Sequence, residues 1–276
     1  MSVRLAAKMD AGIGESPLWQ DQPGRVVWTD PLTRRLLYAD GAGAAGSVAL
    51  DESLFSIAAL PDGGIAGATA TCLCRVGAAR GVLAAGPAAP LAPGVRFNDM
   101  AVDALGGIWA GAMHGGVLAA SGSLYYAAGV AQRPRQVFAG LGVPNGMAFS
   151  HDGTILYLID TLARTLLAFA ADVRAGTLSQ PVIVSDFMNI PGKPDGMTIA
   201  ADGSLWVAMW GGSCVVRLAP DGALLALVKV PAPHVSSACF GPDGTLFVST
   251  SRMRLGPQQL AEWPDSGSLF AIAALA

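Results

Sequence analysis

The chain has 276 residues, of which 52% are hydrophobic and only 13% charged, with a formal net charge of −3 and a pI near 5.5. So much apolar side chain against so little charge excludes a disordered chain and provides for a large buried core. The slight acidity, with no cluster of Lys or Arg, argues against a nucleic-acid or anionic-membrane partner.

In chain order, the segment from Met1 to Pro17 lacks the apolar core of about 7–15 residues that a signal peptide needs. The longest uncharged apolar stretch, Leu269 to Ala276, is far short of the roughly 20 residues that span a bilayer. The expectation is a cytoplasmic protein whose oligomeric state is open. From Gly24 onward a glycine turn followed by a short β-branched or aromatic run recurs: Gly24-RVVWTD, Gly64-IAGAT, Gly107-IWAGAM, Gly153-TILYLID, Gly203-SLWVAMW and Gly244-TLFVSTS. The steps are 40, 43, 46, 50 and 41 residues. Asp62, Asp152, Asp202 and Asp243 stand just before four of these turns, as hairpin chemistry favours. Runs such as LLYAD, GSLYYAA, TLLAFAA, CVVRLAP and GSLFAIA fill the gaps with further strands.

Units of this period, each with about four short strands, fit propeller blades. A sandwich or barrel gives no reason for so long a repeat. The expected architecture is all-β: one six-bladed β-propeller domain over residues 1–276, closed by pairing of the strand at Gly267–Ala273 with the N-terminal segment. Gly41-Ala-Gly-Ala-Ala-Gly46 matches a dinucleotide fingerprint, but it opens no helix and reads as a hairpin loop. No G-x-S-x-G elbow occurs. Cys72, Cys74, Cys214 and Cys239 make no C-x-x-C pair and read as small buried hydrophobes.

With the repeats aligned on their turns, the residues about eight positions back form a series: Asn98, Asn145, Asp195 and Ser236. The first unit, one residue longer, offers Glu15; only the second, with Phe55, breaks the series. If the strand before the turn is the innermost of each blade, rotation brings these side chains to one mouth of the channel. Oxygen donors from Glu15, Asn145, Asp195 and Asn98 around one axis suit a hard or borderline divalent cation. Each Asn-Gly or Asp-Gly also reads, by itself, as a turn pair. Arg96 reads equally as a substrate contact or a salt-bridge partner. His114, in a glycine loop after IWAGAM, reads as pocket lining or as a solvated loop residue. His151 belongs to a turn, and His234 lies near the Ser236 position without further support.

Gly14-Glu15-Ser16-Pro17-Leu18-Trp19, Arg96-Phe97-Asn98-Asp99, Val143-Pro144-Asn145-Gly146 and Pro194-Asp195-Gly196-Met197 resemble, in this order, the signatures of the gluconolactonase, regucalcin and luciferin-regenerating family. LWVAMWGGSCVVRLAPDG and VPAPHVSSACFGPDGTLFVSTSR resemble its bacterial sugar-lactonase branch, including xylonolactonase-like members. The resemblance covers nearly the whole chain. It implies a six-bladed propeller, one divalent ion held by Glu15, Asn145 and Asp195, and substrate contacts from Arg96 and Asn98. Two departures bear on which lactone fits: Met100-Ala101 stands where Gly-Lys or Gly-Arg is frequent, and His114-Gly115-Gly116 where some members place an acidic substrate contact.

The expected activity is hydrolysis of a sugar (aldono-)lactone to the sugar acid by a divalent-metal-dependent enzyme. In this reading Asp195 is also the general base, and Arg96, Asn98 and His114 contact the substrate. Oxygen donors leave Ca²⁺, Zn²⁺, Mn²⁺, Mg²⁺ or Fe²⁺ open. The alternatives are a non-catalytic propeller that binds metal or a sugar acid, or a hydrolase of another lactone or ester. A WD40- or kelch-type interaction propeller would need Trp-Asp and Gly-His signatures that the chain lacks.

Overall fold

The computed structural model describes residues 1–40, 44–77 and 81–273. After β1 (Val3–Ala7), the chain forms one antiparallel meander after another. The first is β2 (Glu15–Gln20), β3 (Arg25–Asp30), β4 (Arg35–Asp40) and β5 (Ala45–Ala49). The second is β6 (Ser56–Ala59), β7 (Ile65–Ala68), β8 (Cys72–Gly77) and β9 (Gly81–Ala88). The third is β10 (Val95–Val102), β11 (Ile108–His114), β12 (Gly122–Ala127) and β13 (Arg135–Leu141). The fourth holds β14 (Pro144–Phe149), β15 (Ile155–Asp160), β16 (Thr165–Asp172), β17 (Thr177–Leu178) and β18 (Val182–Asp186).

The remaining strands share an eight-stranded sheet with β1. They are β19 (Lys193–Ile199), β20 (Leu205–Trp210), β21 (Cys214–Leu218), β22 (Leu224–Lys229), β23 (His234–Phe240), β24 (Leu246–Ser251) and β25 (Leu269–Ile272). One short helix, α1 (Pro257–Glu262), precedes β25. Where the sequence suggests six equal units, the hydrogen bonding thus gives five sheets, the largest spanning two units linked by the single bridge pair Trp210–His234. The leading strands touch one another in the order β2, β6, β10, β14, β19, β23 and back to β2. The fold is all-β and propeller-like.

Burial explains the strand sequences. The second strands β7, β11, β15 and β20 are buried on both faces, because each sheet is covered by its neighbours, and they read as continuous apolar runs. Outer strands such as β5 alternate between half-buried and exposed residues. Clusters such as Trp109, Met147, Leu156 and Phe169 pack between successive sheets, each large side chain contributing about 1.5–3 kcal/mol by burial. As the sequence suggests, β25 closes the structure by pairing antiparallel with β1 (Val3–Ile272, Leu5–Phe270) and also with β24. Of the Gly41–Gly46 fingerprint, Gly41–Gly43 lie outside the described residues; β5 begins at Ala45 and no helix follows. The four cysteines are free thiols, and burial pushes Cys74 up to about 12 and raises Cys214 and Cys239 as well. Among the described residues no helix is long and apolar enough to cross a membrane.

Candidate active site

The positive-φ residue of the repeated turn is the first glycine wherever two occur, Gly63 and Gly106 in the second and third units. Counted from there, Asn98 falls eight residues back, in phase with Asn145 and Asp195. The heads of the leading strands share a further feature that sequence reading did not show. Register shifts lie between Glu15 and Leu18, Phe97 and Met100, Pro144 and Met147, Pro194 and Met197, and Val235 and Ser237. Each shift brackets or adjoins a residue of the polar series. A bulge re-aims side chains out of the regular alternation, so Asn98, Asn145 and Asp195 leave the ladder there. Only β6, headed by Phe55, pairs without a shift.

The Asn-Gly and Asp-Gly pairs are not turns. Gly146 and Gly196 sit inside β14 and β19. A Cβ on Gly146 would come within 2.7 Å of the Asp195 carbonyl, and one on Gly196 within 2.7 Å of the Ser236 carbonyl. These glycines let neighbouring leading strands approach, and the approach places Asn145 against Asp195. The Asn145 Nδ2 donates to Asp195 Oδ1 in a short hydrogen bond and to Thr161 Oγ1 at 3.1 Å. Its amide nitrogen is committed, which leaves the side-chain oxygen for another partner. Asn145 and Asp195 are only 8% and 6% exposed.

A cavity of about 360 Å³ opens here, with Glu15, Arg96, Asn98, Asp99 and Asn145 on its wall. Arg96 Nη1 donates to the Phe97 carbonyl at 2.7 Å and to Asn98 Oδ1 at 2.9 Å, and its guanidinium lies 4.2 Å from the Phe55 ring centre. Asn98 Nδ2 donates to the Pro144 carbonyl at 3.1 Å. Asp99, which sequence reading passed over, accepts on one oxygen from Ser56 Oγ (2.7 Å), the Met100 amide (2.8 Å) and Ser16 Oγ (3.3 Å). Ser16 itself is held at φ 48° inside the first bulge, a left-handed conformation costly for a non-glycine residue. The available signal was the Asp that directly follows Asn98 at the same strand head.

The electrostatics are lopsided. Burial raises the Glu15 carboxyl well above its usual range, Asp195 and Asp99 add to this, and Arg96 offsets part of it. Burial likewise raises Asp195, with Asp99 adding to it and the Asn145 hydrogen bond opposing. Asp99 is raised by burial against its three hydrogen bonds, and burial lowers Arg96 against the pull of Glu15. Three carboxyls therefore act on one another, and only Glu15 feels the Arg96 guanidinium. The Glu15 carboxylate has neither a hydrogen-bond donor nor an ion pair among the described residues. A buried charge left in this way is costly unless a cation meets it. No group of three or more His, Cys, Asp or Glu among the described residues forms a metal cluster by itself, so an ion here also needs the Asn145 amide oxygen. Two carboxylates and an amide oxygen are the donor chemistry of a hard cation.

The other sequence candidates fall outside this cavity. His114 ends β11, where its Nδ1 accepts the Gly116 amide at 3.0 Å. Ser236 is buried and donates to the Gly14 carbonyl, steadying the residue before Glu15. His234 stacks on Trp210 at 4.4 Å. Two other clefts, of about 370 and 510 Å³, have as their charged groups the ion pairs Asp202–Arg217 and Asp62–Arg75, already matched and offering no open chemistry.

Two buried aspartates hold the approach to the site. Asp30, at the end of β3, accepts the Gly12 and Ile13 amides at 2.9 and 3.2 Å, just ahead of Glu15. Asp160, at the end of β15, accepts the Gly142 and Val143 amides at 2.7 and 3.0 Å, just ahead of Asn145. The shared offset of 18 residues to Gly12 and Gly142 was the readable signal. Asp160→Ala strands both amides, each costing about 1–3 kcal/mol. The expected loss, about 2–5 kcal/mol, is checked by urea denaturation; a change under about 0.5 kcal/mol, the usual effect of a surface substitution, would dismiss the clamp.

Residues 13–252 match the family model described as SMP-30/Gluconolactonase/LRE-like region. Regucalcin of Oryctolagus cuniculus is 31% identical over 95% of this chain and 91% of that protein. Pentonolactonase XacC of Haloferax volcanii is 29% identical over 91% of this chain and 86% of that one. Among solved structures, a regucalcin from Agrobacterium tumefaciens, described as a calcium-binding protein, superposes with a TM-score of 0.90 at 28% identity, covering 99% of this chain and 94% of the other. The family model spans most of the chain and the whole fold superposes on that regucalcin, and the chain belongs to the SMP-30/gluconolactonase/LRE-like family.

Proposed function

We propose that the protein is a divalent-metal-dependent lactonase that opens a sugar lactone to the sugar acid. Its architecture in this reading is one six-bladed propeller over residues 1–276, with the eight-stranded sheet counted as two blades. The closed order of the leading strands and the single bridge pair within that sheet support the blade count. The observation that carries the function is the unpartnered Glu15 carboxylate beside Asp195 and Asp99. A relative named a pentonolactonase and a regucalcin described as calcium-binding support the substrate class and the ion.

Glu15, Asn145 and Asp195 would hold the ion. When bound, it supplies positive charge where the lactone carbonyl oxygen becomes anionic. Asp195, a carboxylate placed beside the ion, orients the attacking water and takes its proton. The water oxygen bonds to the carbonyl carbon, the ring C–O bond breaks, and the departing ring oxygen accepts a proton. Arg96, braced by Phe55 and Asn98, directs its remaining N–H groups to substrate oxygens, and Asn98 keeps one amide N–H for the same task. His114, beside Val95 at the end of β11, serves only a substrate part that reaches past Arg96. The test is a pH-stat assay over a panel of aldonolactones, with and without chelator: turnover lost with chelator and restored by a divalent ion is expected, and no turnover on any lactone under any ion would reject the reading.

The raised carboxyls also set a stability profile. A carboxyl with its folded pKa above its unfolded one binds more protons in the folded state, so its contribution falls as pH rises between the two values. Exposed Asp152 and Asp202, held down to about 2, act oppositely, but their contribution is complete once the ordinary carboxylate range is passed. The metal-free protein is therefore expected to lose stability as pH rises from about 4.5 to 7. Ca²⁺ at about 100 times its Kd should restore about 2.7 kcal/mol at pH 7, worth several degrees of Tm, and much less at pH 4.5, where protons compete. Melting curves at both pH values, with Ca²⁺ and with EDTA, check this; a calcium shift of equal size at the two would count against it.

A further inference from the structure

The cavity is divided. Arg96, Asn98 and Asp99 come from β10 and Asn145 from β14, whereas the arc from β24 through β2 and β3 to β6 contributes Ile13, Pro31, Leu32, Phe55 and Met253. None of these five has a polar side chain beyond the thioether. Several of their backbone groups are also occupied: the Ile13 amide donates to Asp30, the Phe55 amide to the Ala68 carbonyl and the Met253 amide to the Gly12 carbonyl, while the Pro31 carbonyl accepts from Ser53 Oγ. Leu32 is 58% exposed at this edge, an apolar side chain standing open at the mouth. Once Glu15, Asn145 and Asp195 are assigned to the ion, the groups left for substrate hydroxyls all stand on the β10 side.

A lactone bearing hydroxyls on every edge would turn at least one of them onto the apolar arc, where it loses water and gains no partner. Resting on the lactonase reading above, we propose that this site prefers a lactone with one apolar edge, deoxygenated or alkyl-substituted, laid against Phe55, Leu32 and Met253, and with its hydroxyls turned toward Arg96 and Asp99. The ring carbonyl keeps its place at the ion, so the preference lies in the part of the substrate remote from the reacting bond. Phe55, the one strand head that departs from the polar series, ends this arc on the side of β6.

The experiment compares kcat/KM for a pentono-1,4-lactone and for its 5-deoxy counterpart of the same ring configuration, with Ca²⁺ or Mn²⁺ present. The expected ratio favours the deoxy lactone by about tenfold or more. The double variant Leu32→Asn and Met253→Gln, which keeps side-chain length and touches no proposed ligand, should bring the ratio near unity. Its calcium-dependent Tm shift should stay as in the parent, which shows that the protein is folded and holds the ion. Equal or better turnover of the hydroxylated lactone by the parent overturns the preference and leaves the lactonase reading standing. A ratio that persists in a folded double variant also overturns it. Turnover of neither lactone, with any divalent ion, overturns both.

Discussion

Asp195→Ala is expected to lower turnover by about 10²–10⁴-fold, the usual worth of a positioned general base, and to weaken metal binding in the same protein. Glu15→Gln keeps the shape of the side chain and removes one of the crowded charges. It should weaken metal binding by more than the ~10–100-fold that losing a supporting residue costs. The same substitution relieves repulsion among Glu15, Asp99 and Asp195, so the metal-free variant should melt higher than the metal-free parent. That pairing, activity down and metal-free stability up, separates a functional charge from a structural one. Calorimetric titration with Ca²⁺ or Mn²⁺ and a pH-stat assay read the first effect, and melting in EDTA reads the second. A Glu15→Gln protein that binds metal as before and melts lower would contradict the assignment.

Removal of the last eight residues, from Leu269 onward, is expected to unfold the protein rather than trim it. β25 pairs with β24 on one side and β1 on the other, and Leu269, Phe270 and Ile272 are at most 2% exposed. Burial of three such side chains is worth roughly 5–9 kcal/mol, comparable with the whole stability of a typical domain. The cut also strands the pairing edge of β24. Circular dichroism on heating should show no cooperative transition near that of the parent. An unchanged transition would mean that β1 and β25 do not close the fold.

The repeat period and the strand heads were legible because a rotational fold repeats its turn chemistry: Gly24, Gly153, Gly203 and Gly244 all take a positive φ between 71° and 83°. The alignment slipped by one residue at Gly63-Gly64 and Gly106-Gly107, since sequence alone does not say which of two glycines turns. The bulges were not legible. A residue inserted opposite one partner shows no break in composition, yet the bulges are what turn Asn145 and Asp195 out of the ladder. Asp99 was hidden because a strand residue next to Asn98 should face the opposite side, and the register shift after Phe97 removes that alternation. The pairing of the last two units into one sheet depends on a single bridge, Trp210–His234, which no local pattern encodes. Asp30 and Asp160 stand at the ends of apolar strands, and their role as clamps shows only through the partner amides 17 and 18 residues earlier.

If Glu15, Asn145 and Asp195 hold one divalent ion, anomalous diffraction from crystals grown with Mn²⁺ should show it. The expected result is a single strong peak bounded by the side-chain oxygens of these three residues. Crystals of active protein with no peak there, or with the strong peak elsewhere, would contradict it.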